Sequence, residues 1–513
     1  MLNLSRRVLP CLLALYVFAA CASAPVPDSD SPDSNGHPAQ APEHEQPPAP
    51  DESREPDEAP EQDDAPQQDE TPDQDAEPTA PSGETPSGDE ARDRDSDLAV
   101  LPVFPGSEAD RPVEVSITDL SFDDPSLTDA LRRERARLLA AQRVANMSLD
   151  EQIGQMIMPA YIFDTGTVPV RAVTDRIRTE LADVQPGGLI LFGQNIADPV
   201  QTSTFIAALQ ALSSTPLFVA VDQEGGVVSR LTNSADMTAT RFPSAQVIGR
   251  TGNPEYAFRV GQAIARELRA LGINMNLAPV ADVLTNPANT VIGSRAFGTD
   301  PHRVSDMVEQ MIAGLQSEHV LSVVKHFPGH GDSYEDSHVQ RVVIPHDRER
   351  LETIELLPFR RAIATGVDGI MSAHIDVPNV FGSDLPVTLS RAALEELLRQ
   401  DMEFDGLIVT DSLVMEAVTS RFSTAELAVA AVDAGSDILL QPRNAVVARN
   451  AIRDAVAQGV LTANRIEASA QRILEAKYLR GLFESDRWLP EDQSALGTEA
   501  HRALVEDIRA SAQ

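Results

Sequence analysis

The sequence predicts an α/β fold, a single TIM-type (β/α)8 barrel, and three observations carry that expectation. Eight short, β-rich apolar runs alternate with helix-patterned stretches. The runs are apolar almost without interruption, as strands buried on both faces must be. Polar residues suited to chemistry gather at their C-terminal ends, where the loops of a parallel barrel converge.

The eight runs span 155–161, 187–192, 216–222, 273–279, 321–326, 368–374, 406–411 and 436–441. Between them, apolar residues recur at helical spacing over 200–212, 255–270, 302–317, 350–365, 391–401 and 424–433. Further helices are expected at 445–458, 463–482 and 499–512. The residues at or just past strand ends include Asp222, Asp282, Arg295, Lys325, His326, His374, Asp411 and Gln441. A doubly wound sheet is the alternative for such alternation, but no G-x-G-x-x-G follows the first strand.

Only part of the 513 residues can form a core. Between Ala22 and Leu98 there are 24 acidic and 3 basic residues, 15 prolines and no aromatic side chain. That composition cannot bury enough apolar surface to offset the entropy of ordering, so residues 22–111 read as a disordered acidic linker. A solvated spacer is the simpler role; an arm for cations or basic partners is the other. The linker holds more than half of the net charge of −38, which makes nucleic acid an unsuitable partner.

Upstream, Arg6 and Arg7 precede an apolar run, 8–20, that ends in small residues. This is the pattern of an export signal, residues 1–21, too short to span a bilayer comfortably. Phe18-Ala19-Ala20-Cys21 has the form of a lipobox with an unusual Phe, which would make Cys21 a lipidation site. Cleavage after Ala24 instead would leave Pro25 behind the cut. The expected product is an exported, membrane-anchored lipoprotein whose head, residues 112–485, stands off on the linker, with 486–513 as a tail. Cys11 and Cys21 are the only cysteines, so the head has neither a disulfide scaffold nor a cysteine nucleophile.

The densest chemical motif is Lys325-His326-Phe327-Pro328-Gly329-His330-Gly331-Asp332, followed by Asp336-Ser337-His338. Three further blocks accompany it: Asp222-Gln223-Glu224-Gly225-Gly226 with Arg230, Gly293-Ser294-Arg295-Ala296-Phe297-Gly298, and Val409-Thr410-Asp411-Ser412. In this order, over 148–482, they resemble glycoside hydrolase family 3, in its bacterial β-N-acetylglucosaminidase (β-hexosaminidase) branch. The resemblance implies a retaining exo-enzyme with Asp411 as nucleophile and His338, oriented by Asp336, as acid/base. It implies that Asp222, Arg230, Arg295, Lys325 and His326 grip sugar hydroxyls, that Glu224 is structural, and that no cofactor or metal is needed.

The residues themselves suit that chemistry. Glycoside cleavage with retention needs an acid for the leaving oxygen and a carboxylate to trap the anomeric centre. Asp411 closes a strand and can trap it, although it could instead cap the following helix. Residues two apart in a turning loop can meet, so Asp336 could hold and charge the His338 imidazole. A neutral imidazole repels anions less than a carboxylate base, so phosphate could compete with water as acceptor. His326, His330 and His338 are poorly placed as zinc ligands, because Pro328 and Gly329 break the helical face such a site uses.

The rival functions are a family 3 β-glucosidase or β-xylosidase and, in another class, a catalytically inactive carbohydrate-binding surface lipoprotein. The chain departs from many relatives in having Ser412 where a second acidic residue follows the nucleophile. A carbohydrate substrate, muropeptide or chitin oligosaccharide, a membrane anchor and a monomeric head are expected.

Overall fold

The computed structural model describes residues 127–484 and 493–513, together with Thr118 and Trp488. The chain partitions into residues 1–96 and 97–513, and all described residues belong to the second unit. The predicted signal, Cys21 and the linker 22–111 lie outside them.

Each of the eight predicted runs contains a strand: β1 (Ile157–Met158), β2 (Gly188–Ile190), β3 (Phe218–Val221), β4 (Met275–Asn276), β5 (Leu321–Phe327), β6 (Gly369–Ser372), β7 (Leu407–Thr410) and β8 (Leu439–Leu440). β2 to β7 form one curled parallel sheet in chain order. β1 pairs with β8 in parallel, and single parallel bridges, Ala160 to Ile190 and Val409 to Ile438, tie that pair to the two edges of the sheet. The curled sheet and the β1–β8 pair are thus joined at both edges by these single bridges.

Both faces of the strands are buried. Val219 and Val221 of β3 pack with helices α5 (Pro254–Ala270) and α6 (Pro301–Ser317), through Val260, Ile264, Val308 and Ile312. Their neighbours Phe218 and Ala220 join a second cluster with Met275, Leu321, Val323, Met371 and Leu407 from other strands. This two-sided burial is why the runs are apolar without alternation.

The outer helices start where the sequence supplies caps. Asp198, Asn253 and Asp300 accept from the first-turn amides of α4 (Pro199–Gln210), α5 and α6, each of which also has Pro in its first turn. The predicted helix 350–365 departs from α-winding: Leu351–Glu355 is a π-turn, and α7 proper is Leu357–Thr365. Pro358 has no amide for the carbonyl four residues back, and the winding loosens just ahead of it. The 391–401 stretch is π-wound as well, over Ala392–Asp401.

Two expectations are corrected. Gln155 is the last residue of helix α2 (Leu149–Gln155), not the start of β1, because Ser148 and Glu151 form a capping box that sets this helix in place. Helices α1 (Asp129–Val144) and α3 (Asp175–Val184) were not anticipated. The C-terminal helix α11 (Glu499–Ser511) forms as expected. It is tied to α5 by the buried Glu267, which accepts from Gly497 N (3.0 Å), His501 Nδ1 (2.9 Å) and the amide and hydroxyl of Thr240.

Gly187, at the mouth of β2, has no room for a side chain: a Cβ there would sit 1.9 Å from the Gln155 carbonyl oxygen. Gly187→Ala is expected to cost about 2–3 kcal/mol by forcing α2 away from the sheet. Denaturant unfolding of the purified chain checks this.

Candidate active site

The sheet delivers its polar residues to one end. Asp222 follows β3, Lys325 and His326 lie in the last part of β5, His374 lies two residues past β6, and Asp411 and Gln441 follow β7 and β8. Arg230 comes after a short antiparallel hairpin, Gln223–Gly225 with Val228–Ser229, and Arg295 closes a 3-10 turn, Gly293–Arg295.

Four of these side chains, with Glu224, form a ladder of alternating charge. Arg230 Nη2 meets Asp222 at 3.0 Å, and Lys325 Nζ is 2.7 Å from both Asp222 and Glu224. Arg295 then grips Glu224 with two parallel bonds of 2.8 and 2.9 Å. Burial opposes the charge on both carboxylates, but Lys325 with Arg230 on Asp222, and Arg295 with Lys325 on Glu224, outweigh it, and both are held below the usual carboxylate range. Glu224 is thus fixed as an anion, which suits a strut and disqualifies it as a general acid. Lys325 is only 2% exposed, so its first task is to hold the two carboxylates in place.

A second buried centre lies at Asp282, which has no exposed surface. Its carboxylate accepts from His326 Nδ1 (2.7 Å), from the His326 amide (3.2 Å) and from the His330 amide (2.7 Å). His326 Nε2 then faces Arg295 Nη2 at 3.4 Å, which links this centre to the ladder. The ring nitrogens of His330 are both engaged by serines, Ser333 at 2.7 Å and Ser337 at 2.9 Å. Among the described residues, no group of three or more His, Cys, Asp or Glu is placed to hold a metal ion.

His338 lies on the long segment between β5 and α7. Its Nδ1 is 2.7 Å from Asp336 Oδ1, which also accepts the His338 amide at 2.8 Å. The carbonyl of His338 accepts from the Glu416 amide at 3.3 Å, so this segment touches the loop that follows Asp411. Burial works against protonation of the ring, but its hydrogen bond to Asp336 and the charge of Asp411 prevail, and the imidazole is held above its ordinary 6.5. Asp411 shifts the other way. Burial would raise it, but His374, His326 and His338, together with the Ser412 amide at 2.7 Å, keep it below the usual range. The two groups are thus shifted in opposite directions, the carboxyl toward its ionised form and the imidazole toward its protonated form.

The structure brings every predicted site residue of the head to this end of the sheet. Other contributors were not legible. Thr388 lies 2.8 Å from His374 Nδ1, while His374 Nε2 donates to the Ser412 carbonyl at 3.0 Å. Arg341, three residues past His338, is clasped by the buried Asp376 at 2.5 Å and by Asp384 at 3.1 Å. Arg421 joins the same Asp376 at 3.5 Å. No local signal marks these partners, which are 35 to 45 residues apart in sequence; only the proximity of Arg341 to the Asp-Ser-His motif could have drawn attention to it.

Comparison with known proteins now bears on the whole head. Residues 148–476 match the glycosyl hydrolase family 3 N terminal domain. The β-hexosaminidase A of Pseudoalteromonas piscicida is 32% identical over 71% of this chain and 67% of its own length. The β-hexosaminidase of Nitrosomonas eutropha is 36% identical over 52% of this chain and 77% of its own. Among solved structures, a family 3 β-N-acetylglucosaminidase from Paenibacillus sp. superposes with a TM-score of 0.67 at 38% identity, covering 71% of this chain and 69% of that one. The chain belongs to glycosyl hydrolase family 3.

Proposed function

We propose that the head is a retaining exo-β-N-acetylglucosaminidase that removes terminal β-linked N-acetylglucosamine. The observation that carries the mechanism is the 2.7 Å contact between Asp336 and His338 Nδ1, in a site where Asp411 adds to the charge that favours the imidazolium. The similarity to proteins named β-hexosaminidase and β-N-acetylglucosaminidase supports the sugar.

In the first step Asp411 attacks the anomeric carbon as the glycosidic bond breaks. With Nδ1–H held by Asp336, the proton that passes to the departing oxygen is the one on Nε2 of His338. In the second step the neutral Nε2 takes a proton from water, whose oxygen attacks the same carbon and frees the Asp411 carboxylate. Two inversions give net retention. Asp222, Arg230, Arg295, Lys325 and His326 act as hydroxyl-gripping residues in this reading, supported by one continuous hydrogen-bonded network that is already rigid before sugar arrives.

Asp411→Ala and His338→Ala are each expected to lose about 10³-fold or more in kcat/KM on nitrophenyl β-N-acetylglucosaminide. Equal activity on the glucoside or xyloside would favour the β-glucosidase or β-xylosidase reading, and full binding without turnover would favour an inactive carbohydrate-binding lipoprotein. Comparing products from muropeptides and chitobiose chooses the natural glycan. Repeating the assay in phosphate tests phosphate against water: sugar 1-phosphate would make the second step a phosphorolysis.

The pH profile has a definite sign. Asp411 must be ionised and His338 protonated, so kcat/KM should fall on the alkaline side as pH rises through the raised imidazole value. Asp336→Asn removes one of the two anions that raise it; the alkaline limb is expected to move to lower pH, with kcat down about 10–100-fold. An unmoved limb would exclude His338 as the titrating acid.

We also propose that Cys21 carries a lipid and that residues 22–111 form the stalk, on the motif and composition of the sequence. In the expressed full chain, Cys21→Ala should move the enzyme from the membrane fraction to the soluble one. Detergent-dependent recovery that is identical for both proteins would end this reading.

A further inference from the structure

Asp336 and His338 each have about two-fifths of their side-chain surface open, at 41% and 39%. Ser337 between them is 2% exposed. The turn thus directs its two outer residues toward the site and its middle residue into the protein. There the Ser337 hydroxyl lies 2.9 Å from Nε2 of His330.

His330 is itself mounted firmly. It is 2% exposed, its amide donates to Asp282 at 2.7 Å, and its carbonyl accepts from Asn289 Nδ2 at 2.8 Å. Gly331 beside it allows no side chain, since a Cβ would stand 1.9 Å from the Val283 carbonyl oxygen. The ring is therefore fixed to the loop after β4, which does not carry the dyad.

The contacts around Ser333 assign the tautomer. Its oxygen meets the His330 carbonyl at 3.0 Å, Asn289 Nδ2 at 3.1 Å and His330 Nδ1 at 2.7 Å. A carbonyl cannot donate, so the single hydroxyl proton belongs on that contact. The Asn289 amide supplies its own proton, and Nδ1 must then supply the third. In a neutral ring Nε2 is left as an acceptor, and Ser337 donates to it. Burial, reinforced by neighbouring His326, pushes the His330 ring down to about 4, which keeps it neutral where an imidazolium acid operates.

We propose that His330 is a positioning residue for the acid/base: its Nε2 accepts the Ser337 hydroxyl and so fixes the phase of the Asp336–Ser337–His338 turn. The inference rests on the assignment of His338 as acid/base. Without the pin, Ser337 has no reason to stay inward, and the Nε2 proton of His338 loses its aim at the glycosidic oxygen. The deficit should therefore follow the demand for acid assistance and leave substrate capture largely alone.

The test compares Ser337→Ala with the wild-type full chain on two N-acetylglucosaminides. One bears 2,4-dinitrophenolate, which departs without a proton, and the other bears an alkyl or sugar aglycone, which needs one. For the poor leaving group kcat/KM should fall about 10–100-fold, while the dinitrophenyl glycoside should change less than about threefold, and azide should restore turnover of the dinitrophenyl glycoside where the second step has slowed. His330→Leu should reproduce this split. His330→Gln, whose amide oxygen can accept the Ser337 hydroxyl, should recover most of the loss. Equal losses on both glycosides, no loss, or failure of Gln to outperform Leu would overturn the proposal. Failure of the underlying reading would look different: the wild-type chain, or its Asp411→Ala variant, would already behave contrary to the assigned roles.

Discussion

The site depends on one buried carboxylate, Asp282. A charge without exposed surface is tolerable only when it is well hydrogen-bonded, and three N–H groups from His326 and His330 bond this one. Through His326 this charge reaches Arg295 and the ladder of ion pairs. Through the amide of His330 it reaches the segment that carries Asp336 and His338. In the proposed reaction, the sugar-gripping half and the proton-transferring half are thus referenced to the same point, which is how a loop residue can be held to the tolerance that catalysis demands.

The ladder from Arg230 to Arg295 has a similar logic. Buried ion pairs return little net stability against a hydrophobic core, but removing one member strands a charge and costs about 3–5 kcal/mol. Such a chain is therefore rigid because it cannot be broken piecemeal. The cost falls at the C-terminal ends of strands whose directions are set by largely apolar packing on both faces. Stability and preorganisation are divided between the two ends of the same strands.

Sequence patterning conveyed the eight strands because burial on both faces leaves an apolar run with little ambiguity. It overestimated their length: the run at 155–161 yields only two residues of β1, since Gln155 already belongs to a helix closed by Ser148 and Glu151. Helix α1, DALRRERARLLAAQRV, has the right spacing but carries seven charged residues in sixteen, and it precedes the first strand, where no βα unit called for it. At the site, residues clustered in one short motif were legible, from Lys325 to His338. The three further blocks were legible as well, but the pairings between distant segments were not. Asp282 with His330, Thr388 with His374, and Arg341 with Asp376 are pairs that the folded sheet creates, and no period or spacing in the chain encodes them.

A histidine acid poses a problem opposite to that of the carboxylic acid it replaces. Burial raises a carboxyl group toward working pH, but it lowers an imidazole, and His338 needs anions nearby to remain charged. Two are present, and their fates differ in the proposed reaction. Asp336 keeps its charge throughout. Asp411 loses its charge when it becomes an ester to the sugar, and with it disappears one of the forces that raise the imidazole. The proton affinity of His338 thus falls once its proton has been given away, so the ring stays neutral while water approaches. When the ester is cleaved the carboxylate returns, and the imidazole regains the proton taken from that water. One aspartate sets the direction of the ring and the other sets the timing of its charge.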